Sequence, residues 1–303
     1  MIIMLSLPEY AKLYLPHKLQ PVIGAVQFIH GMGEHQGRYT EFAEHLASNG
    51  YAVIMGDLRG HGVNVSREAD LGYIGDNGAA KLVGDIHDLT RIITERCPNV
   101  PYILIGHGMG AIVAAAYFKK YDYFLNGLIL SGMPSERGRY ADKLNLRLKT
   151  ASKGEYYRSH SLYSSIYGIY TNQFTREGSS SAWLSSDPKV WKEFDDDPRC
   201  GFIYTLNGYQ TYIDLLENTY KRGSWILKNM HVPIRLVAGS RDTCAGNKHK
   251  MTKIASEFRS HGYDNIDIQL IHGLRHDIYN DTGCEKTYDN ILNVLDGISN
   301  ADE

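Results

Sequence analysis

The segment YILIGHGMGAIVAAAYF (residues 102–118) constrains the fold of this chain more than any other stretch. A continuous apolar run, then three alternating glycines, then small residues, is typical of a buried strand, a sharp turn and a tightly packed helix. Such a turn either presents a nucleophile or cradles a phosphate group. Gly108 stands at the centre of the turn, where a nucleophile would be expected.

Strand and helix patterns alternate on both sides of this turn. Continuous apolar strands that alternate with amphipathic helices predict an α/β fold with a mostly parallel sheet and helices on both faces. The predicted strands are residues 22–30, 51–57, 101–106, 125–132, 232–240 and 266–273, and the predicted helices are residues 38–50, 81–97, 110–121, 248–261 and 285–298.

The alternation stops over residues 136–225, which are rich in Tyr and Ser and repeat no strand pattern. We interpret this segment as a helical cap inserted into one α/β domain, because neither flanking half completes the sheet alone. The predicted organisation is a first part of the core in residues 1–135, the cap in residues 136–225, and a second part of the core in residues 226–303.

Charge and cysteine usage exclude several classes of function. The formal net charge is −2 and there is no basic stripe, which argues against a nucleic-acid partner. Cys97, Cys200, Cys244 and Cys284 form no CxxC pair and fit no zinc site, and scattered thiols favour a reducing, cytoplasmic compartment. No apolar run reaches about 18 residues, so the sequence predicts no transmembrane segment.

A dinucleotide-binding turn is the first interpretation of residues 106–111, which satisfy G-x-G-x-x-G/A between a strand and a helix. That interpretation needs an acidic residue at the end of the next strand, where Ser131 stands, and Glu136 comes only after Pro134. Two glycine-rich strand ends also precede this turn. We therefore favour the nucleophile elbow G-x-S-x-G and expect no cofactor.

An elbow of this kind requires an acid and then a histidine further along the chain. Asp242 directly follows the strand at residues 232–240, and His276 follows the strand at residues 266–273. The carboxyl ends of parallel strands meet where an α/β sheet places its chemistry. The sequence thus predicts Asp242 as the residue that orients the imidazole and His276 as the general base. His272 lies at a strand end rather than on a helix, so we expect no metal pair with His276.

With these motifs in place, the chain resembles the α/β-hydrolase fold, and within it the monoacylglycerol lipase and lysophospholipase group. This resemblance implies a serine hydrolase that cleaves carboxylic esters through a Ser-Asp-His triad. The stretch at residues 183–202 also resembles the cap of bacterial members. The matching motifs are HGMGEHQGRY (30–39), DLRGHG (57–62), GHGMG (106–110), AGSRD (238–242) and GLRHD (273–277).

An oxyanion hole is expected from two backbone N–H groups, those of Met32 and Met109, and the resemblance implies the same two residues. Gly31 and Gly33 flank Met32 and allow the backbone to approach a substrate. Structural rather than catalytic roles are expected for four polar residues, of which the first three would brace this loop: Glu34, His35, Arg38 and His61.

Gly108 stands where the family has serine. Glycine carries no nucleophile, so the covalent acyl-enzyme route is closed for this sequence. The fold should tolerate glycine, because glycine adopts the elbow's backbone angles more easily than serine does. Two interpretations stay open: a hydrolase disabled by an engineered or very recent change, and a natural pseudoenzyme that binds a lipid or ester without hydrolysis.

The cap is predicted to form an acyl pocket over the sheet, because residues 156–174 interleave Tyr, Leu and Ile with Ser and Asn. The expected partner is a small-molecule ester or a monoacyl lipid, and a monoacylglycerol, a lysophospholipid and an aryl ester all remain open. A transient contact of the cap with a membrane surface also remains open. An aminopeptidase would need acidic cap residues to bind a free amine. The cap has one acidic run, but we expect it to be solvent-exposed; it comprises Glu193, Asp195, Asp196 and Asp197.

Overall fold

The computed structural model describes residues 5–135, 140–221, 223 and 225–299. Within them, seven strands form one sheet in the order β1-β3-β2-β4-β5-β6-β7. Every neighbouring pair is parallel except β1 and β3, which pair antiparallel at one edge. The strands are β1 Ala11–Tyr14, β2 Gly24–Ile29, β3 Tyr51–Gly56, β4 Tyr102–His107, β5 Gly127–Ser131, β6 Ile234–Gly239 and β7 Ile266–Ile271.

Helices cover both faces of the sheet, which confirms the predicted α/β fold class. One apolar cluster packs Leu82 and Ile112 against one face, and a second packs Phe42 and Leu295 against the other. Strands β2 to β5 are buried along their whole length, as continuous apolar runs require. The helices are α1 Thr40–Ser48, α2 Gly78–Arg96, α3 Met109–Tyr121, α4 Tyr140–Lys153, α5 His160–Thr171, α6 Pro188–Asp196, α7 Leu206–Tyr220, α8 Lys248–Ser260 and α9 Glu285–Ser299.

The segment between β5 and β6 is helical, with α4, α5, α6 and α7 in succession. Helix α7 is not confined to a separate lid, because Tyr209 and Leu215 belong to the same buried cluster as Ile112 of α3. The predicted cap boundary at residue 136 and residue Glu136 itself lie outside the described residues, and the division of the chain into core and cap stays a prediction.

The turn between β4 and α3 depends on its glycines, as the sequence predicts. A Cβ atom on Gly106 would lie 2.4 Å from the carbonyl oxygen of Gly110. A Cβ atom on Gly110 would lie 2.3 Å from the carbonyl oxygen of Ile29 on the neighbouring strand. Strand and helix therefore approach backbone to backbone here, and this approach brings the start of α3 to the carboxyl edge of the sheet. In the described part of the chain, no helix combines the length and the apolar character needed to cross a membrane.

Candidate active site

Gly108 occupies the tip of the turn between β4 and α3. Its backbone has φ 55° and ψ −116°, a conformation that residues with a side chain adopt only under strain. Its N–H donates to the carbonyl of Ser131 at 2.9 Å, which ties the turn to the end of β5. The turn therefore projects residue 108 from the sheet edge, whatever side chain that residue carries.

Asp242 and His276 converge on this turn from the ends of β6 and β7. The Nδ1 atom of His276 lies 3.0 Å from Oδ2 of Asp242, and both residues are buried. The other carboxylate oxygen of Asp242 accepts the N–H of Cys244 at 2.7 Å. An ionised carboxylate only accepts, so Nδ1 donates and Nε2 faces away from Asp242. A Cβ atom on Gly108 would lie 3.3 Å from that Nε2.

The electrostatics of the pair favour the ionised form of each partner. Burial is the largest single influence and would lower the pKa of His276, but the Asp242 carboxylate, together with Asp277 and Glu34, raises it above the ordinary value. Burial would raise the pKa of Asp242, but the His276 ring and the backbone N–H groups that it binds lower it instead. The two shifts are consistent with one donor-acceptor pair.

A second histidine lies beside this pair and stays neutral. The ring of His107 lies 4.7 Å from that of His276, and its Nδ1 lies 3.1 Å from the Ser131 hydroxyl. Burial, followed by the nearby His276, lowers the pKa of His107 to about 3. The two neighbouring rings therefore differ: the pKa of His107 is lowered, whereas that of His276 is raised.

Cap segments hold the loop that carries His276. The N–H of Asp277 donates to the carbonyl of Leu184 at 2.8 Å, and the Trp183 ring lies 4.4 Å from the His276 ring. Asp281 accepts the N–H of Arg275 at 2.6 Å and the hydroxyl of a cap serine, Ser185, at 2.8 Å. Asp277 and Asp281 thus serve to hold the loop, and among the described carboxylates Asp242 is the one that hydrogen-bonds the imidazole.

The loop after β2 is braced by a charged network, as the sequence predicts for Glu34 and Arg38. The Glu34 carboxylate accepts the N–H of Gly31, the hydroxyl of Tyr39 and Nε of Arg38. The guanidinium of Arg38 also pairs with Asp277 and so links this loop to the histidine loop. The ring of His35 also binds this loop, because its Nδ1 accepts the N–H of Gly37, and its Nε2 in addition pairs with Asp197 of the cap at 2.9 Å.

His61 anchors the far side of the same loop, so its predicted structural role agrees with its contacts. Its Nε2 accepts the N–H of Gly33 at 3.3 Å and the hydroxyl of Tyr204 from the cap side. Burial lowers the pKa of His61 to about 3, which keeps the ring neutral.

Met32 lies between Gly31, whose N–H binds Glu34, and Gly33, whose N–H binds His61. Like Met109, Met32 lines the cavity above Gly108. Neither methionine uses its backbone N–H in a hydrogen bond with the described residues.

The cavity above Gly108 and His276 has aromatic walls supplied mostly by the cap. Four tyrosines face it, and three of them come from residues 156–174, where the sequence predicts a pocket. The acidic run of the cap does not line it: three of the four acids are exposed, and Asp197 is half-buried against His35. The large side chains around the cavity are Tyr163, Ile166, Tyr167, Tyr170, Trp183, Leu184, Phe194, Phe202 and Tyr212.

Two groups of described His, Cys and Asp side chains come close enough to hold a metal ion. In the first group, the N–H of Gly37 donates to Nδ1 of His35, so Nε2 carries the proton and donates to Asp197. A ring that carries its proton on Nε2 offers no lone pair to a metal there. The second group contains Asp242 and His276, which already bind each other. The expectation of no metal site remains a prediction.

Comparison with known proteins agrees with this architecture. The monoacylglycerol lipase of Mycolicibacterium smegmatis is 24% identical over 276 residues, which cover 90% of this chain and 88% of that protein. A lipase structure in an open form has a TM-score of 0.84 at 23% identity and covers 96% of this chain and 94% of its own. A thermostable carboxyl esterase from Bacillus coagulans has a TM-score of 0.83 at 24% identity, with 95% and 94% covered.

The sheet and the glycine turn are those of an α/β-hydrolase fold, and over most of its length the chain is similar to a monoacylglycerol lipase. A family model described as serine aminopeptidase, S33, matches residues 20–283. The chain belongs to that family. The family resemblance noted in the sequence is thereby confirmed, whereas the roles of Gly108, Asp242, His276, Met32 and Met109 stay predictions.

Proposed function

We propose that this chain carries the site of a carboxylic ester hydrolase of the monoacylglycerol lipase type, in which Gly108 replaces the nucleophile. The observation that supports this most is the 3.3 Å from Nε2 of His276 to the Cβ position on Gly108, with Asp242 on the opposite side of the ring. A serine hydroxyl at residue 108 would fall within hydrogen-bond reach of that nitrogen. The site then lacks one functional group.

The other roles follow from the chemistry of acyl transfer. His276 takes the proton of the nucleophile and passes it to the leaving alcohol, while Asp242 orients the ring and stabilises its cation. The N–H groups of Met32 and Met109, which have no partner among the described residues, stabilise the oxyanion. With glycine at residue 108, this sequence of steps cannot begin.

The ligand that we propose is an ester or monoacyl lipid. The cap tyrosines combine a broad apolar surface with polar tips, which suits one acyl chain with a polar head. The names of the relatives, a monoacylglycerol lipase and a carboxyl esterase, point to the same ligand class. Free peptide amines fit less well, because the two acids on the cavity wall, Glu34 and Asp277, both bind Arg38.

Two histories of the site stay open under this proposal, and one experiment separates them. Hydrolysis of a monoacylglycerol and of a short aryl ester is measured for the chain, for Gly108→Ser and for Gly108→Ser combined with His276→Ala. Turnover by the single variant that disappears in the double variant supports a hydrolase disabled by a recent or engineered change. A folded but silent Gly108→Ser variant that still binds monoacylglycerol contradicts that history and favours a natural binding protein.

A further inference from the structure

The cavity has a polar end where the protein leaves hydrogen-bonding groups unused. His276 is 6% exposed and its Nδ1 is bound to Asp242, yet its Nε2 has no partner among the residues that the structure describes. This nitrogen is the heavy atom nearest to the Cβ position on Gly108. A ring nitrogen without a partner, on a residue that is mostly buried and lines a cavity, indicates a place for a polar ligand atom.

Two backbone donors belong to the same end of the cavity. Met32 and Met109 both line it, and neither N–H is used within the described part of the chain. Met109 is the first residue of α3, a helix of 13 residues, whose N-terminus favours negative charge. This end of the cavity therefore offers donors from three different elements: the loop after β2, the start of α3 and the loop after β7.

The absence of a serine hydroxyl at Gly108 changes which ligand atoms can bind at this end of the cavity. A serine hydroxyl would donate to Nε2 of His276, and the neutral ring would then act as an acceptor. Glycine leaves Nε2 without that hydroxyl, and when the ring is charged Nε2 carries a proton and donates. In this charged state, Nε2 and the two backbone N–H groups are all donors. A carboxylate is an acceptor only, so it matches this site better than an alcohol, which also carries a donor.

We infer that the chain binds the carboxylate of a fatty acid in this end of the cavity, with the acyl chain among the cap aromatics. One carboxylate oxygen accepts from Nε2 of His276 beside Gly108. The other oxygen accepts from the N–H groups of Met32 and Met109. The inference rests on the proposed function, because it uses the same cavity, and it narrows the ligand from an ester to an acid.

Charged groups around His276 set the pH dependence of this binding. Asp242 and Cys244 face the ring from the loop after β6, His107 from β4, Asp277 from its own loop, and Glu34 and Arg38 from the loop after β2. The carboxylates oppose an anionic ligand, so binding requires the imidazolium form of His276. The Asp242 carboxylate, which raises the pKa of His276 in spite of burial, favours that form. Affinity for a carboxylate should therefore fall as pH rises through the raised pKa.

The test compares dodecanoate with 1-dodecanoylglycerol, a neutral ligand with the same acyl chain, by isothermal titration calorimetry on the unmodified protein. We expect dodecanoate to bind at least about tenfold more tightly, since hydrogen bonds to charged groups are roughly twice as strong as neutral ones. That preference should disappear in His276→Gln, which keeps a polar side chain without a titratable proton. It should also fade as pH is raised through the pKa of His276, which lies above the ordinary histidine value of about 6.5.

Gly108→Ala serves as a second variant, because its methyl group fills the space beside Nε2 without adding a charge. It should weaken dodecanoate about tenfold, the loss expected when one charged hydrogen bond is broken, and affect the glycerol ester less. Equal affinity for the two ligands, a preference that survives in His276→Gln, or no binding of either would overturn the inference. Hydrolysis by Gly108→Ser is measured separately, so a failed carboxylate site and a failed hydrolase assignment give different results.

Discussion

Residue 108 offers a perturbation whose effects on stability and on activity should point in opposite directions. The comparison is between Gly108→Ser and Gly108→Ala, two variants that place a Cβ at the same point and differ by one hydroxyl. Both must hold a φ of 55° that glycine adopts freely, and both bring a Cβ to 3.3 Å from Nε2 of His276. That contact is tight, so the imidazole has to move by a few tenths of an ångström.

The expected loss in the free energy of unfolding is similar for the two variants. A non-glycine residue in such a backbone conformation costs about 1–3 kcal/mol. For a chain of 303 residues, 2 kcal/mol corresponds to a fall in Tm of roughly 3 °C. Chemical denaturation and differential scanning calorimetry measure these changes. A clearly stabilised alanine variant would refute the backbone conformation on which the argument depends.

Ester hydrolysis should separate the two variants completely. Removal of a catalytic serine from an active hydrolase costs about 10⁴–10⁶ in kcat. The serine variant should therefore exceed the alanine variant by about 10³ or more in kcat/KM on a short aryl ester, the lower bound allowing for imperfect placement of the imidazole. Equal rates in two folded variants would show that His276 does not activate a group at residue 108, and would refute the proposed chemistry.

Three further outcomes follow from other parts of the molecule. The pKa values of His61 and His107 are lowered by burial to about 3, so only the unfolded chain takes up these two protons as pH falls below about 6.5. These two rings should contribute a loss of about 3 kcal/mol of stability between about pH 7.5 and 5.5 in urea denaturation, to which His30 adds and which the raised pKa of His276 opposes. In a His276→Gln background, where the opposing group is absent, a flat profile would contradict neutral buried rings. Gly110→Ala should lower the free energy of unfolding by at least about 3 kcal/mol, because its Cβ would meet the backbone at the end of β2. Gly84→Ala is the control, because Gly84 is exposed on α2 and has open space around it, and this variant should raise the free energy of unfolding by about 0.5–1 kcal/mol. The unmodified chain should show weak esterase activity in which His276 activates a water molecule, and His276→Ala should abolish it; equal rates for the two proteins would exclude this route.

The sequence predicts the main sheet and the meeting of its functional loops because both depend on local patterns. Apolar runs identify the parallel strands, and a parallel sheet necessarily brings the ends of β4, β6 and β7 to one edge. Asp242 and His276 could therefore be placed without any knowledge of contacts. Strand β1 is different, because four residues at an edge show no alternation strong enough to identify.

Contacts between the cap and the core were beyond the reach of sequence patterns. Trp183 packs on the His276 ring, and Asp281 joins the histidine loop to Ser185, which lies 96 positions away in the sequence. His35 pairs with Asp197 of the cap although its neighbours brace the loop after β2. Such residue pairs depend on how the cap helices pack against the sheet. The hydrophobic pattern around one residue of a pair does not indicate which residue it will contact.

The most direct test of the central claim is the site of covalent labelling by a fluorophosphonate in Gly108→Ser, located by peptide mass spectrometry. If the imidazole of His276 is oriented by Asp242 and faces residue 108, the label should be stoichiometric, should map to the peptide containing residue 108, and should be lost when His276→Ala is added. A folded serine variant that stays unlabelled, or that is labelled at another residue, would contradict the account.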